Sequence, residues 1–336
     1  MPDLNVPIIK ANGLLWIGDP HQDSRTPGRR KEEFFYKTIA RKIKQCMKIA
    51  QDRNLIPVFG GDFFNRDNDS DPAMLVETIH ALQSTGHKPW TLVGNHEKRQ
   101  TVLTQDTALS ILVASKVLNQ IPNCGPAFIL ESTGFNHTTL RVGVGGTAYD
   151  QEVPSDVTPF FEEVQDIVWL THHDWIFEGS YPNAMHPYPI KGCSMVINGH
   201  IHKSKPPVKR GHTVYWNPGN ITRMSIDTKD QVPRVWEMIP GQANLSPIAL
   251  EHEKEVFDLT GRRVHAAEDK EQSIRDQENF AKLLAIESSQ EETKTQDGSL
   301  FLERMSGFFA EYQIDEKVQT HLQELFKKVR HKTTEA

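Results

Sequence analysis

The stretch INGHIHKSKPPVKRGHTVYWNPGN, residues 197–220, puts two histidines at the end of an apolar run. In an extended segment residues two apart share a face, so His200 and His202 converge on one point while Ile201 packs away from it. Convergent imidazoles point to a metal ion. Any remaining ligands must then come from other parts of the chain.

Upstream of this stretch, GLLWIG (13–18), LIPVFGG (55–61) and PWTLVG (89–94) read as buried strands, each ending where polar residues begin. Between the first two, KEEFFYKTIARKIKQCMKIAQDR (31–53) sets Phe35, Ile39, Ile43, Met47 and Ala50 at helical spacing. Between the next two, DPAMLVETIHALQ (71–83) opens with the Asp-Pro pair of a helix start. Further strands are predicted at 139–144, 166–171, 194–198, 213–216 and 234–239, with fewer helices between them. The alternation is that of a layered α/β fold.

The 336 residues suffice for one large domain with an appendage, or for two domains. Hydrophobic residues at 37% and charged residues at 24% describe a globular chain, and a mean hydropathy of -0.52 without a long apolar run argues against a membrane span. The N-terminus lacks the basic and apolar regions of a secretory signal. Three separated cysteines, Cys46, Cys124 and Cys193, argue against a disulfide framework, and a reducing, cytoplasmic setting is expected.

The net charge of -6 is unevenly spread: from residue 251 onward there are 19 acidic and 13 basic residues, so the chain before that point is neutral. Basic clusters at 25–31 (RTPGRRK) and 203–210 (KSKPPVKR) read either as local grips for a polyanion or as solvated loop charges. After Pro247 prolines cease and the apolar residues become helically spaced. The expected organisation is a catalytic domain over 1–247, a connector over 248–297 and a helical, partner-binding segment over 298–336. In that last segment Ile314, Val318, Leu322, Leu325 and Phe326 form one stripe, and an acidic stretch, ESSQEETKTQDGS, precedes it.

The strand ends carry the chemistry. The first strand runs into Asp19-Pro20-His21, the second into Gly61-Asp62-Phe63-Phe64-Asn65 and the third into Gly94-Asn95-His96-Glu97; later strands run into His172-His173 and into Gly199-His200-Ile201-His202. Sites in α/β sheets are built at the carboxyl edges of strands. Carboxylate, imidazole and amide oxygen together suit Mn, Fe or Zn, whereas an all-oxygen shell would suit Mg or Ca.

These blocks, in this order, resemble the calcineurin-like metallophosphoesterases, with their D-x-H, G-D-x-x-D/N, G-N-H-D/E, later His and G-H-x-H elements. The resemblance spans residues 19–202. It implies a layered β-sandwich flanked by helices, here with a mostly helical C-terminal extension. It also implies a dinuclear centre: Asp62 bridges, Asp19, His21 and His202 hold one ion, and Asn95, His172 and His200 hold the other. The implied ions are Mn, with Fe, Zn or Mg as alternatives. His96 is implied as the catalytic group beside the phosphate. Within T-H-H the family uses the first histidine, which selects His172 over His173.

DFFN before a Pro-led helix, GHIHK and the strand into WNPGN look most like the SbcD-type nuclease subunits of DNA repair complexes, including phage-encoded ones. That likeness implies DNA as substrate and an SMC-like ATPase as partner through the C-terminal helices, with a homodimer as the alternative use of those helices. Asn65-Arg66 and GNHE resemble the Ser/Thr protein phosphatases instead, so a phosphomonoesterase is the competing reading, beside a small-molecule phosphodiesterase. Glu97 and Arg66 read either as neighbours of the site, Glu97 accepting an imidazole N–H, or equally as ordinary surface residues.

Overall fold

The computed structural model describes residues 6–98, 103–133, 138–177 and 184–260. In chain order these form β1 (Ile8–Lys10), β2 (Gly13–Ile17), α1 (Phe35–Arg53), β3 (Leu55–Phe59), α2 (Pro72–Leu82), β4 (Trp90–Thr91), α3 (Ala108–Ala114) and β5 (Asn119–Gln120). They continue with β6 (Cys124–Thr133), β7 (Thr139–Thr147), β8 (Asp166–Thr171), β9 (Cys193–Asn198), β10 (Lys205–Arg210), β11 (Thr213–Asn217), β12 (Arg234–Met238) and β13 (Ser246–Ala249).

The strands make two sheets. One has the order β13-β12-β2-β3-β4-β5 and the other β1-β6-β7-β8-β9-β11-β10. β2, β3, β4 and β5 pair in parallel, as do β7, β8, β9 and β11, so each sheet gathers several strand carboxyl ends on one edge. Buried on both faces, β2 and β3 read as unbroken apolar runs. Leu14, Trp16, Ile56 and Val58 of the first sheet, with Leu92 just past β4, pack against Val142, Val144, Val168, Leu170 and Ile197 of the second. This is the sandwich core.

The outer face of the six-stranded sheet is covered by the helices. α1 presents Phe35, Ile39, Ile43, Met47 and Ala50 to Leu15, Ile17 and Phe59. α2 starts where Asp-Pro predicts it: the Asp71 carboxylate accepts the Met74 N–H at 2.9 Å, and Pro72 fills the first turn, where no N–H is needed. The outer face of the seven-stranded sheet is covered by irregular chain instead, through Val153, Val157, Phe161, Trp175 and Ile190.

Several elements differ from the sequence reading. β4 is two residues long, because the chain leaves the sheet at Leu92 to form the Gly94-Asn95-His96 loop. The KSKPPVKR cluster is largely the edge strand β10; Pro206 and Pro207 have no N–H to donate and are tolerated there, beside a bulge. Arg30 of the other basic cluster turns inward, held by Glu32 and lying over the rings of Phe35 and Phe257 at 5.2 and 5.3 Å.

Residues after Pro247 continue on this unit. β13 pairs antiparallel with β12, and Leu250, Val256 and Phe257 are buried. The compact unit runs to Leu259. The helical segment expected over 298–336, and most of the expected connector, lie outside the described residues. Among the described residues no helix is long and apolar enough to cross a membrane.

Candidate metal centre

The loops leaving β2, β3, β4, β8 and β9 meet at the seam between the two sheets. The first sheet contributes Asp19, His21, Asp62, Asn95 and His96; the second contributes His172, His200 and His202. Ligand atoms of Asp19, His21, Asp62 and His202 lie within 4.8 Å of one another, and so do those of Asp62, His172 and His200. Asp62 belongs to both groups. His21 and His202 face each other with their Nε2 atoms 2.8 Å apart. Asn95 Oδ1 is 2.9 Å from His200 Nδ1 and 3.2 Å from His172 Nε2.

The backbone is distorted to achieve this. His21, Asp62 and His200 have φ of 47°, 44° and 71°, in the left-handed region that side chains seldom occupy and that costs on the order of 1–3 kcal/mol per residue. Main-chain bonds hold the strained loops. The His21 N–H donates to the Asp62 carbonyl at 3.0 Å, and the His200 N–H donates to Asp19 Oδ2 at 2.8 Å. Glycines precede the ligands because there is no room for more. A Cβ on Gly94 would lie 2.1 Å from Asp62 Oδ1, and one on Gly199 would lie 2.8 Å from both Asp19 Oδ1 and His172 Nδ1.

The donor set fits divalent cations. Asp19 Oδ1 is buried without a hydrogen-bond partner, although its other oxygen is bonded. Burial pushes the His21 imidazole down to about 3 and also lowers His202 and His200, so these rings are held in the neutral form that binds metal. Burial raises Asp19 to about 6. Burial opposes ionisation of Asp62 as well, but His172, His21 and His96 around it hold its carboxyl well below the usual range. His172, also opposed by burial, is raised to about 10 by the adjacent Asp62 carboxylate at 3.2 Å.

His172 and His173 have different surroundings. His172 Nδ1 donates to the Gly60 carbonyl at 2.7 Å, leaving Nε2 toward Asp62 and Asn95. His173 turns away, with Nε2 2.9 Å from the Gln151 carbonyl. His96 lies at the rim, 35% exposed, with Nδ1 bonded to the Asn65 carbonyl at 2.7 Å and Nε2 4.0 Å from Asp62 Oδ2.

Glu97 departs from expectation. It receives no imidazole N–H; its carboxylate accepts the backbone N–H groups of Asp62, Phe64 and Gly94 at 3.1, 3.0 and 2.8 Å, which ties the β3 and β4 loops together. Burial and the charge of Asp62 push it up to about 8. Arg66 is also committed elsewhere, to Asp23 at 2.7 Å and Asp69 at 2.6 Å.

Three positioning residues escape the sequence reading. Asp174 Oδ1 lies 2.9 Å from His200 Nε2. Asn217 donates to the carbonyls of Ile201 and Lys203, both at 2.9 Å, clamping the His200–His202 loop. Asn198 ties the ends of β8 and β9 through Thr171, His173 and Gly199. Asp174 was legible only as the residue after His172-His173, and the asparagines only as strand-end polar residues.

No curated protein matches the sequence. Among solved structures, TT1561 of Thermus thermophilus is 10% identical, over 71% of this chain and 99% of that one, with a TM-score of 0.40. The 5'-nucleotidase precursor from the same organism is 12% identical over 70% of this chain and 54% of its own, at 0.39. The Haemophilus influenzae NAD nucleotidase is 12% identical over 71% and 50%, at 0.38. The calcineurin-like phosphoesterase family model matches residues 14–204, from the start of the Asp19 strand through the loop of His202. That span exceeds half of the chain and contains every ligand loop described above, so this protein belongs to the calcineurin-like phosphoesterases.

Proposed function

We propose that the protein is a Mn-dependent phosphodiesterase that cleaves DNA, working in a reducing, cytoplasmic setting. The observation that carries the reading is that the two histidines of one strand end serve opposite halves of the site: His200 faces Asn95 and His172, and His202 faces His21. The protein phosphatases lack the second of these. A phosphomonoester also carries a second negative charge, which an arginine beside the phosphate would match. Arg66 is the arginine that this comparison singles out, and its guanidinium is already bonded to Asp23 and Asp69. A singly charged diester fits better.

Asp19, His21, Asp62 and His202 would hold one ion and Asp62, Asn95, His172 and His200 the other. When bound, two such ions supply a nucleophile at neutral pH and compensate the charge of the phosphoryl group. The chain itself handles the leaving group. Because His96 Nδ1–H donates to the Asn65 carbonyl, Nε2 is the atom free to exchange a proton, and it gives that proton to the departing ester oxygen as the P–O bond breaks. Glu97 keeps the loops of Asp62 and Asn95 in register.

Support for DNA comes from the chain leaving His202. Lys203, Lys205, Lys209 and Arg210 follow it along the β10 edge, and Lys209 and Arg210 are exposed there. The apolar stripe at 314–326 supports docking on an SMC-like ATPase, with truncation at residue 290 as its test. Loss of co-purification with retained activity on small diesters is expected, and aggregation of the truncated chain would count against it.

For the activity itself, the full chain with Mn is assayed on linear and circular DNA, a bis-nitrophenyl phosphate and a mono-nitrophenyl phosphate. Faster turnover of the diester, together with DNA cleavage, is expected. Preference for the monoester would favour a phosphatase, and diester turnover without DNA cleavage would favour a small-molecule phosphodiesterase.

A further inference from the structure

Away from the metal centre, between α1 and the chain at 251–256, lies a cavity of about 330 Å³. Three cations line it and are nearly buried: Arg30 at 7% exposure, Lys42 at 4% and Arg223 at 3%. Among the described residues their one carboxylate partner is Glu32, which is bound to Arg30. Lys42 donates to the Ile221 carbonyl at 2.7 Å and Arg30 Nη1 to the Arg223 carbonyl at 2.8 Å. Arg223 spends its terminal nitrogens on the carbonyls of Lys229, Glu253 and Lys254, while its Nε is buried without a partner. Arg41 stands at the rim, 3.7 Å from Glu253, both being exposed.

Main-chain carbonyls orient cations but do not neutralise them. Glu251 and Glu253 also line the cavity, on its exposed side, so its buried half holds three basic groups against Glu32, an excess that is costly unless Lys42 gives up its proton or a counter-ion enters. The strain shows in Lys42. Burial, with Arg30 and Arg223 alongside, pushes its ammonium down to about 7, with weaker support for the charge from Cys46 and Glu32.

We propose that this cavity is a binding site for a phosphate dianion, free or as the terminal group of a small phosphoester, held by Lys42 and Arg223 with Arg41 at its mouth. The match is one of charge and of donor type. A tetrahedral dianion offers oxygens to an ammonium and to an unpartnered guanidinium N–H at once, and charge-assisted bonds of this type are the strong ones. The inference does not rest on the catalytic reading, since none of these residues belongs to the metal centre.

The test is calorimetric titration of inorganic phosphate into the metal-loaded full chain at constant ionic strength, with Lys42→Met and Arg41→Ala alongside. Phosphate bound at the catalytic ions is common to all three proteins, so the readout is the difference between them. The wild type is expected to bind one more phosphate per chain than Lys42→Met, and Arg41→Ala to bind it about tenfold more weakly. Methylphosphonate, which cannot be hydrolysed, separates the sources: binding of both anions assigns an esterified phosphate, and binding of inorganic phosphate alone assigns the free ion. Equal stoichiometry in wild type and Lys42→Met overturns the proposal. Arg41 is exposed, so its variant tests the site even if Lys42→Met does not fold, and unchanged affinity in that variant likewise overturns it.

Discussion

Asp174 and Asn95 bracket the ring of His200. Asp174 Oδ1 sits 2.9 Å from Nε2 and Asn95 Oδ1 2.9 Å from Nδ1; the carboxylate is the stronger acceptor, so Nε2 is the nitrogen that keeps its proton when Nδ1 holds a metal ion. Asp174→Ala should therefore lower affinity for the second ion by about 10- to 100-fold while the fold persists. Metal titration followed by melting checks this. Unchanged affinity would show that the carboxylate does not orient the ring.

Asp62 is shared by both ligand groups and touches His172, His21 and His96. Asp62→Asn is expected to abolish hydrolysis and to reduce bound metal below two per chain, measured by elemental analysis of the purified protein. Near-normal turnover in a metal-loaded sample would remove Asp62 from its bridging position.

His96 is a partly exposed imidazole at the rim, bonded to a carbonyl through Nδ1. His96→Ala should lower turnover by about 10²- to 10⁴-fold while metal content stays near that of the wild type. A substrate with a good leaving group should be rescued in part, because it needs no proton. Loss of metal together with activity would instead make His96 a ligand.

Lys42 gives a pH signature in stability. Its folded value near 7 lies below the ordinary 10.5, so the unfolded chain binds the proton more tightly. The resulting penalty is fully present below pH 7 and is lost as pH rises toward 10.5. In buffer without multivalent anions, Lys42→Met should raise stability by a few kcal/mol at pH 6–7, and the gain should shrink steadily above pH 7. Denaturant melts at several pH values check this; a gain independent of pH would trace the effect to packing.

Much of this was legible in the sequence because it rests on local rules. The Asp-Pro start of α2, the apolar stripe of α1 and the polar residues ending each buried strand follow from spacing and residue type. What was not legible depends on tertiary partners. Lys42 sits among polar neighbours in α1, and only the approach of Ile221 and Arg223 turns it into a buried charge. Glu97 has the sequence of a surface residue, yet three main-chain N–H groups from two loops converge on it. β6 (Cys124–Thr133) was missed because Gly125 and Pro126 disguise a strand whose register with β7 shifts at that point.

The division of the ligands between two sheets makes the centre sensitive to mechanics as well as chemistry. Asp62 rides on one sheet and His172 and His200 on the other, and those sheets are kept in register by the apolar filling around Trp16, Leu92, Leu170 and Ile197 together with a few bonds across the seam, such as His172 Nδ1 to the Gly60 carbonyl and the His200 N–H to Asp19. A cavity made in that filling would let one sheet slide on the other and change the gap across which the ligands face each other. Turnover would fall with every ligand still in the sequence, and small, distant core substitutions become a means of tuning the reaction rate.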